Sequence, residues 1–263
     1  MNNYIKQAKG LCGKTDIYGG GIQSHNNTYG SYMLDKKIGD VNGDGIADIV
    51  YLTGERGNYN FYEDIKIVIQ DGRTMQRYVI PLSTQYNKAY NPWLFLGNFT
   101  TGSSDDIMVS LPVGGSGALT YYYIISFREN RPRYILMPEQ FVDLTTPLGI
   151  EIKYMDKYRV LVESPRLNIS YVIDVKDRKE LYEGWIYDKA GKLIKPIDGF
   201  LIYQPHLNPI RTDGLQPYRL MAQQDIAGTS HADSLGYLIT YWGFEKSIGN
   251  WVLDPEYFFV MLG

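Results

Sequence analysis

The chain has 263 residues, a formal net charge of −3 and 21% charged residues, without a run of Lys and Arg. Nucleic acid and anionic membrane surfaces attract clustered positive charge, so we expect neither as a partner. No apolar stretch approaches the roughly 18 residues of a membrane helix, which argues against membrane insertion. Cys12 is the only cysteine, so an internal disulfide is excluded and a free thiol is expected.

The start of the chain, over 1–31, is rich in Gly, Asn, Lys and Tyr, with Gly19-Gly20-Gly21 in its middle. This composition predicts a partly extended N-terminal arm over 1–31, followed by one domain over 32–263. Residues 1–10 lack the hydrophobic core of a signal peptide. Either a signal lies outside this sequence, or the protein reaches its site without classical secretion.

Short strands with turn signals at short, regular intervals dominate the rest of the chain. Gly, Asn and Asp separate runs of β-branched and aromatic residues, a pattern typical of an all-β sandwich, barrel or propeller. The only candidate helix, Pro138–Asp143, is too short to change that class. The predicted strands are Asp48–Leu52, Tyr62–Gln70, Arg77–Leu82, Trp93–Leu96, Asp106–Leu111, Leu119–Phe127, Arg159–Glu163, Ser170–Val175, Gly184–Tyr187, Phe200–Tyr203, Tyr218–Gln223, Tyr237–Trp242 and Trp251–Leu253.

One stretch, residues 39–51, carries recognisable chemistry. Oxygen-bearing side chains recur at short intervals, and Gly45 stands where such a loop must turn sharply. Ca²⁺ takes six to eight oxygen ligands at about 2.3–2.6 Å, and a loop of this kind supplies them. Neighbouring aspartates repel one another unless a cation neutralises them. The alternative is a solvated turn rich in Asp and Gly. The predicted Ca²⁺ ligands are Asp40, Asn42, Asp44, the backbone carbonyl of Ile46, and Asp48.

The residues after this loop distinguish between calcium-binding families. An EF-hand needs a glutamate at its twelfth position, which counted from Asp40 is Tyr51. A dockerin-type loop needs an acid there and a helix afterwards, whereas Ile49–Gly54 has the composition of a strand. The stretch from Asp40 to Asp48 resembles the calcium loop of FG-GAP or VCBS repeats, as in the β-propeller of integrin α subunits. That resemblance implies a calcium loop between two strands of one propeller blade, and Tyr51 should make no metal contact.

The loop has echoes further along the chain. Gly97–Thr100 followed by Asp106–Val109 repeats the pattern, with Asp106 in the place of Asp48. Asp213-Gly214 repeats it faintly, at close to three periods of about 57 residues from Asp44-Gly45. A unit without ligands then falls at Tyr154–Val162, as a turn into a strand. Four such units predict a four-bladed propeller, or five blades if the N-terminal arm completes one.

Only the first loop keeps the full set of ligands. The second keeps Asn98 and Asp106 but has Gly102 where Asp44 would be, so it should bind calcium poorly. The fourth keeps only Asp213. Three further stretches make the chain similar to VCBS-repeat proteins of spore-forming bacteria, and this resemblance implies no reaction. They are Asn91–Gly97, Gly114–Ala118 and Ala232–Tyr237.

Catalytic motifs are weak. The stretch around Ser116 is one residue short of a Gly-x-Ser-x-Gly nucleophile elbow, and the strand after it predicts a glycine-rich hairpin. The three histidines, His25, His206 and His231, offer few bases for a triad, and Ser230–Asp233 is expected to be a polar turn. Paired carboxylates for glycoside hydrolysis could still be assembled by folding.

The leading hypothesis is a non-catalytic, calcium-stabilised β-propeller. It would act as a structural or interaction module for a protein or polysaccharide partner at a cell or spore surface. Two alternatives belong to other classes. A hydrolase or lyase acting on polysaccharide would have two or more carboxylates lining a cleft, and a lectin would present exposed Tyr and Trp.

Overall fold

The computed structural model describes residues 31–100, 102–115, 119–202, 204–211 and 217–262. Four antiparallel sheets follow one another along the chain, and we name them A to D. The all-β class predicted from the sequence is confirmed. The N-terminal arm falls on residues outside the described ranges, apart from Ser31, which already belongs to the first strand.

Sheet A has the order β1-β2-β3-β4, with β5 paired to β3. Its strands are β1 Ser31–Gly39, β2 Asp48–Arg56, β3 Phe61–Gln70, β4 Arg77–Pro81 and β5 Ala89–Tyr90. Sheet B has the order β6-β7-β8-β9. Its strands are β6 Trp93–Gly97, β7 Asp106–Gly114, β8 Leu119–Ser126 and β9 Arg133–Leu136.

Sheet C has three strands in the order β10-β11-β12, and helix α1 precedes it. These elements are α1 Pro138–Thr145, β10 Glu151–Met155, β11 Arg159–Ser164 and β12 Ile169–Asp174. Sheet D has the order β13-β15-β16-β17, with β14 paired to β15. It follows α2 Lys179–Tyr182 and contains β13 Phe200–Leu201, β14 His206–Ile210, β15 Arg219–Ala227, β16 Ser234–Glu245 and β17 Asn250–Leu262.

Most predicted strands are present, and one is not. The segment predicted as a strand at Gly184–Tyr187 makes only isolated bridges, from Tyr187 to Glu183 and Leu193. Gly184 has φ +88°, which breaks the extended backbone that a strand needs. The short helix at Pro138 extends to Thr145, and Phe141 packs its ring against Trp242 of sheet D at 5.4 Å.

The core is divided into three apolar layers. In β7, Ile107, Val109 and Leu111 pack towards sheet A, while Met108 between them packs towards sheet D. Sheet B is therefore buried on both faces, and β7 is buried without interruption from Asp106 to Leu111. A third layer joins sheet D to sheet C, through Leu238 among others.

Sheet C, at the other end of the stack, is buried on one face only. In β10 the buried residues Ile152 and Tyr154 alternate with the exposed Glu151 and Lys153, as expected for a half-buried strand.

The sheets thus pack in the order A, B, D, C. Hydrogen bonds support each step: Asp40 O accepts from Asp105 N at 2.8 Å, Ile135 O from Trp251 Nε1 at 2.8 Å, and Ile152 O from Gly199 N at 2.9 Å. Within the described ranges no buried cluster joins sheet A to sheet C or D. The contacts shown therefore form an open stack, and a closed ring of blades is not among them.

The second strand of each sheet recurs at a nearly regular interval. These strands begin at Asp48, Asp106, Arg159 and Arg219, so the interval stays close to the predicted period of about 57 residues. The interval between the first two equals the offset between the loops that precede them. Residues Asp156–Tyr158 form the predicted turn before β11.

Candidate functional site

Loop A, defined as residues 40–47 with the flanking Asp48, connects β1 to β2. Gly39 and Asp48 face each other in the strand pair, so the loop starts and ends at one sheet end. Gly43 and Gly45 have φ of +84° and +83°, a conformation that costs glycine little. The sharp turn predicted at Gly45 is present.

Asp48 lies at the end of loop A, where β2 begins, and its side chain is fully buried. One carboxylate oxygen accepts hydrogen bonds from the backbone N–H groups of Val41 and Asn42, at 3.0 and 3.3 Å, and the other from Gly72 at 2.9 Å. Burial raises the pKa of this carboxyl, while the three backbone donors act in the opposite direction. Asp48 therefore fixes the backbone at both ends of loop A and the turn that follows β3.

The other predicted ligands bond to the loop itself. The carboxylate of Asp40 accepts from the backbone N–H groups of Gly43 and Gly45, at 2.7 and 2.9 Å. Asn42 Oδ1 accepts from Asp44 N at 3.0 Å, and Asp44 Oδ1 from Ile46 N at 2.8 Å. Each is a side chain that accepts from a backbone group a few residues ahead, the usual way in which Asp and Asn stabilise turns.

Asp44 also has a cationic partner that the sequence did not reveal. Arg73, in the turn after β3, donates through Nε to Asp44 Oδ2 and through Nη2 to the Asp44 carbonyl, both at 2.7 Å. The hydrogen bond and charge of Arg73 lower the pKa of Asp44. The whole of β2 and β3 separates the two in sequence, which hides the pair from any search for local motifs.

Asp71 is a second residue that sequence reasoning missed. It is buried and accepts from the side-chain amides of Asn42 at 3.2 Å and Asn130 at 3.4 Å, and from the backbone of Arg73 and Thr74 at 2.8 Å. Burial alone would raise the pKa of Asp71, but the hydrogen bonds from Thr74, Arg73 and Asn130 lower it overall. Its position directly after β3, at the sheet end that carries loop A, was the available signal.

Loop B, defined as residues 98–106, is the corresponding connection between β6 and β7 in sheet B. Asp106 is fully buried, and its Oδ2 accepts from the backbone of Phe99 and Thr100 at 2.9 and 3.0 Å. When Asp106 is aligned with Asp48, these two donors take the positions of the two loop A donors that precede Gly43. The backbone clamp by a buried aspartate is therefore shared by both loops.

The oxygens of loop A suit a hard cation chemically, since Asp40, Asn42, Asp44 and the Ile46 carbonyl belong to one turn. Within the described ranges, however, no group of three or more Asp, Glu, His or Cys side chains is arranged to hold a metal ion. The carboxylate of Asp48 instead accepts hydrogen bonds from the backbone N–H groups of Val41, Asn42 and Gly72. Calcium binding therefore remains a prediction.

The remaining predicted positions are distributed over the fold. Tyr51 lies in β2 opposite Lys36 and Val68. His206 lies in β14, and His231 packs on Phe200, with ring centroids 5.0 Å apart. Cys12, His25, Ser116 and Asp213 lie outside the described residues.

The predicted polar turn at Ser230–Asp233 connects β15 to β16 and contacts sheet C. Asp233 accepts hydrogen bonds from the hydroxyls of Tyr154 at 3.0 Å and Tyr182 at 2.6 Å. Burial is the larger cause and the carboxylate of Asp233 the smaller one that together raise the pKa of Tyr182 to about 12. Burial also raises the pKa of Tyr154, so both hydroxyls act as donors at neutral pH. This arrangement joins sheet D to sheet C.

In the part of the chain that the structure describes, no helix is long and apolar enough to cross a membrane.

The chain is similar to a family model and to a protein of Bacillus subtilis. Residues 148–258 match the family model described as "YybI C-terminal domain", a segment that contains sheet C and most of sheet D. "Uncharacterized protein YybI" of Bacillus subtilis (strain 168) is 37% identical over 215 residues, covering 81% of this chain and 80% of that protein. No solved structure matches the chain significantly.

Proposed function

The chain belongs to the YybI family, and we propose that it is a non-catalytic β-sheet scaffold with Ca²⁺ bound at loop A. It presents loops to a protein or polysaccharide partner at a cell or spore surface. The surface location rests on the resemblance of residues 40–48 to the calcium loops of VCBS repeats. Asp40, Asn42, Asp44 and the Ile46 carbonyl would hold the ion, and Asp48 would fix the loop around it.

The observation that carries the calcium assignment is an excess of negative charge. Four carboxylates, Asp40, Asp44, Asp48 and Asp71, are assembled at this end of sheet A, and the guanidinium of Arg73 forms an ion pair with Asp44. The charge of Asp71 acts to raise the pKa of both Asp44 and Asp48, which is the sign of mutual repulsion. A divalent cation at loop A would relieve this repulsion.

A structural role, rather than a calcium switch, fits the surroundings of the loop. Both flanking segments are strands paired within sheet A, whereas sensor proteins open a pair of helices. The form of sheets A and B also supports the scaffold proposal, because each contains four strands in an antiparallel meander, like a propeller blade. We propose four blades. The sheets at the two ends of the stack are A and C, so an experimental structure with a packed face between them would support a closed ring, and an open face on both would reject it.

Thermal melts in calcium and in chelator test the assignment. An ion that binds only the folded state contributes about 2.7 kcal/mol at a hundred times Kd, or a few degrees in Tm. We expect calcium to raise the Tm of the wild type by that amount without changing its circular dichroism spectrum. Asp44→Ala should lose the response because it deletes a central ligand.

Asp174→Ala is the matched control, since Asp174 is an exposed aspartate at the end of β12, far along the chain from loop A. It should respond to calcium as the wild type does. Equal responses of the wild type and Asp44→Ala would refute the calcium site.

Sedimentation with purified cell-wall polysaccharide tests whether polysaccharide is the partner. Release of reducing ends in that assay would favour the hydrolase alternative.

A further inference from the structure

A cavity of about 340 Å³ lies between sheets B and D, and its lining is strongly basic. Sheet B contributes Arg128, Arg131 and Arg133, and Lys246 enters from the turn between β16 and β17. Arg133 reaches across this gap, since a Cβ placed on Gly249 of that turn would lie 3.6 Å from its Nη2.

The positive charge in this cavity is not balanced locally. Glu129 is the one acidic side chain among the lining residues, which leaves a local charge of 4 − 1 = +3 in a chain of net charge −3. Glu245, next to Lys246, instead accepts from the backbone N–H and hydroxyl of Ser247 at 3.0 and 2.8 Å. Within the described ranges, none of the four cations forms an ion pair with a carboxylate.

Arg128 is held in place by neutral groups. Its Nε donates to Ser104 Oγ at 3.1 Å and its Nη2 to Thr100 Oγ1 at 2.9 Å, both in loop B. A guanidinium carries five N–H donors in a rigid plane, so donors remain for a ligand. Its side chain also lies over Gly102, where an added Cβ would overlap the guanidinium.

Sheets A and B differ in the partner of one equivalent arginine. Arg73 and Arg128 each follow the third strand of their sheet and reach back to its first loop. In loop A the arginine meets the carboxylate of Asp44, but the corresponding position of loop B is Gly102. Arg128 therefore lies at the position equivalent to Arg73, but loop B has no carboxylate where loop A has Asp44.

We propose that this cavity binds the phosphate group of a phosphorylated ligand. Three guanidinium groups and an ammonium group suit a dianionic oxyanion, and arginine donates to phosphate in pairs of parallel hydrogen bonds. Phe244 and Ile135 form an apolar side of the same cavity, which suits a sugar or other ring attached to the phosphate. This inference does not rest on calcium, because the ligand has the opposite charge and its proposed donors are not calcium ligands. The two sites adjoin, since Glu129 of the cavity donates its backbone N–H to the Asn42 carbonyl of loop A at 2.9 Å.

Isothermal titration with inorganic phosphate and with glucose 6-phosphate, in chelator and at constant ionic strength, tests the proposal. We expect both to bind, the sugar phosphate more tightly, and neutral glucose not to bind. Arg128→Gln and Arg133→Gln should each weaken phosphate binding about ten- to hundredfold, the effect of losing a charge-assisted hydrogen bond. Phe244→Ala should remove the advantage of glucose 6-phosphate and leave phosphate binding nearly unchanged.

Arg77→Gln is the matched control, because Arg77 begins the fourth strand of sheet A as Arg133 begins the fourth strand of sheet B. It should bind phosphate like the wild type. Absence of binding up to about 10 mM phosphate would overturn the proposal. So would equal weakening by Arg77→Gln and Arg133→Gln, since that result means a general effect of net charge. A wild-type Tm for Arg133→Gln excludes loss of folding as the cause.

Discussion

Loops A and B share one framework and differ in their charge. In each, a buried aspartate at the start of the second strand accepts hydrogen bonds from two consecutive backbone N–H groups at the start of the loop. In each, an arginine after the third strand reaches back to the loop. Loop A adds Asp40 and Asp44, whereas loop B has Asn98 and Gly102 at those positions. The two loops thus share the buried carboxylate, and they differ at the two positions where loop A has outer acids.

Removal of the buried carboxylates of Asp48 and Asp106 should have the largest effect on the free energy of unfolding. Asp48→Ala leaves three backbone N–H groups without their acceptor, and Asp106→Ala leaves two together with the Thr100 hydroxyl. We expect each change to lower the free energy of unfolding by roughly 3–5 kcal/mol, because buried donors without partners are costly. Urea denaturation measures this.

The exposed Asp174→Ala should cost less than about 0.5 kcal/mol in the same assay. If either alanine variant fails to fold, Asp106→Asn keeps one acceptor oxygen and should be measurable as a milder loss. A large effect at Asp48 with none at Asp106 would mean that the two loops do not share the clamp.

The contact between the sheets that carry the two loops should show an intermediate, pH-dependent effect. Asp35 of β1 accepts from the backbone N–H of Leu94 in β6 at 2.8 Å. Burial acts to raise the pKa of Asp35, but hydrogen bonds from Leu94, Lys37 and Lys36 outweigh it and lower the pKa overall. Its contribution is therefore present above the unfolded-state pKa and is lost as pH falls below about 4.

Asp35→Asn should cost about 1 kcal/mol at neutral pH, as a hydrogen bond to a charged acceptor becomes a neutral one. Urea denaturation from about pH 6 to about pH 3 should show the wild type and the variant converging at the acid end. A difference that stays constant over this range would contradict the assigned role of the Asp35 charge.

Replacing Arg73 or Arg128 by glutamine should give the smallest change in stability. The two replacements should change ligand binding in opposite directions, for calcium at loop A and for phosphate at the basic cavity. Arg73 and Asp44 form an exposed pair, which contributes little to folding. Arg73→Gln should raise calcium affinity, because a positive charge leaves the proposed ligand set, and the same change at Arg128 should lower phosphate affinity. Calorimetric titrations with each ion measure both. Weaker calcium binding by Arg73→Gln would show that Arg73 supports the loop more than it opposes a cation.

The sequence predicted best where a strand follows a loop with a clear pattern. The starts of β2 at Asp48 and of β7 at Asp106 were both correct, because an aspartate precedes an unbroken apolar run. Strand β1 was missed, since Asp35, Lys36 and Lys37 interrupt its apolar alternation. Strand β14 was also missed. It contains Pro209, a residue that weakens the strand signal and is typical of an edge strand.

The candidate sites divide in the same way. The five predicted calcium ligands lie within one short loop, so their spacing was visible. Asp71 and Arg73 approach loop A only through the pairing of β2 with β3. Lys246 and Arg128 lie far apart in the chain and meet through the packing of sheet D on sheet B, and local patterns carry no information on such contacts.

The packing order A, B, D, C has a consequence for how the chain is made on the ribosome. Sheet B ends its third strand at Ser126, but β14 of sheet D, whose Leu207 packs in the same apolar cluster as Met108, begins only at His206. At about 5–20 residues per second, synthesis of the chain between them takes roughly 4–16 s. During that time Met108, Tyr122 and Ile124 have no partner from sheet D. The nascent chain thus carries an open apolar face through much of its synthesis, the kind of surface that chaperones bind.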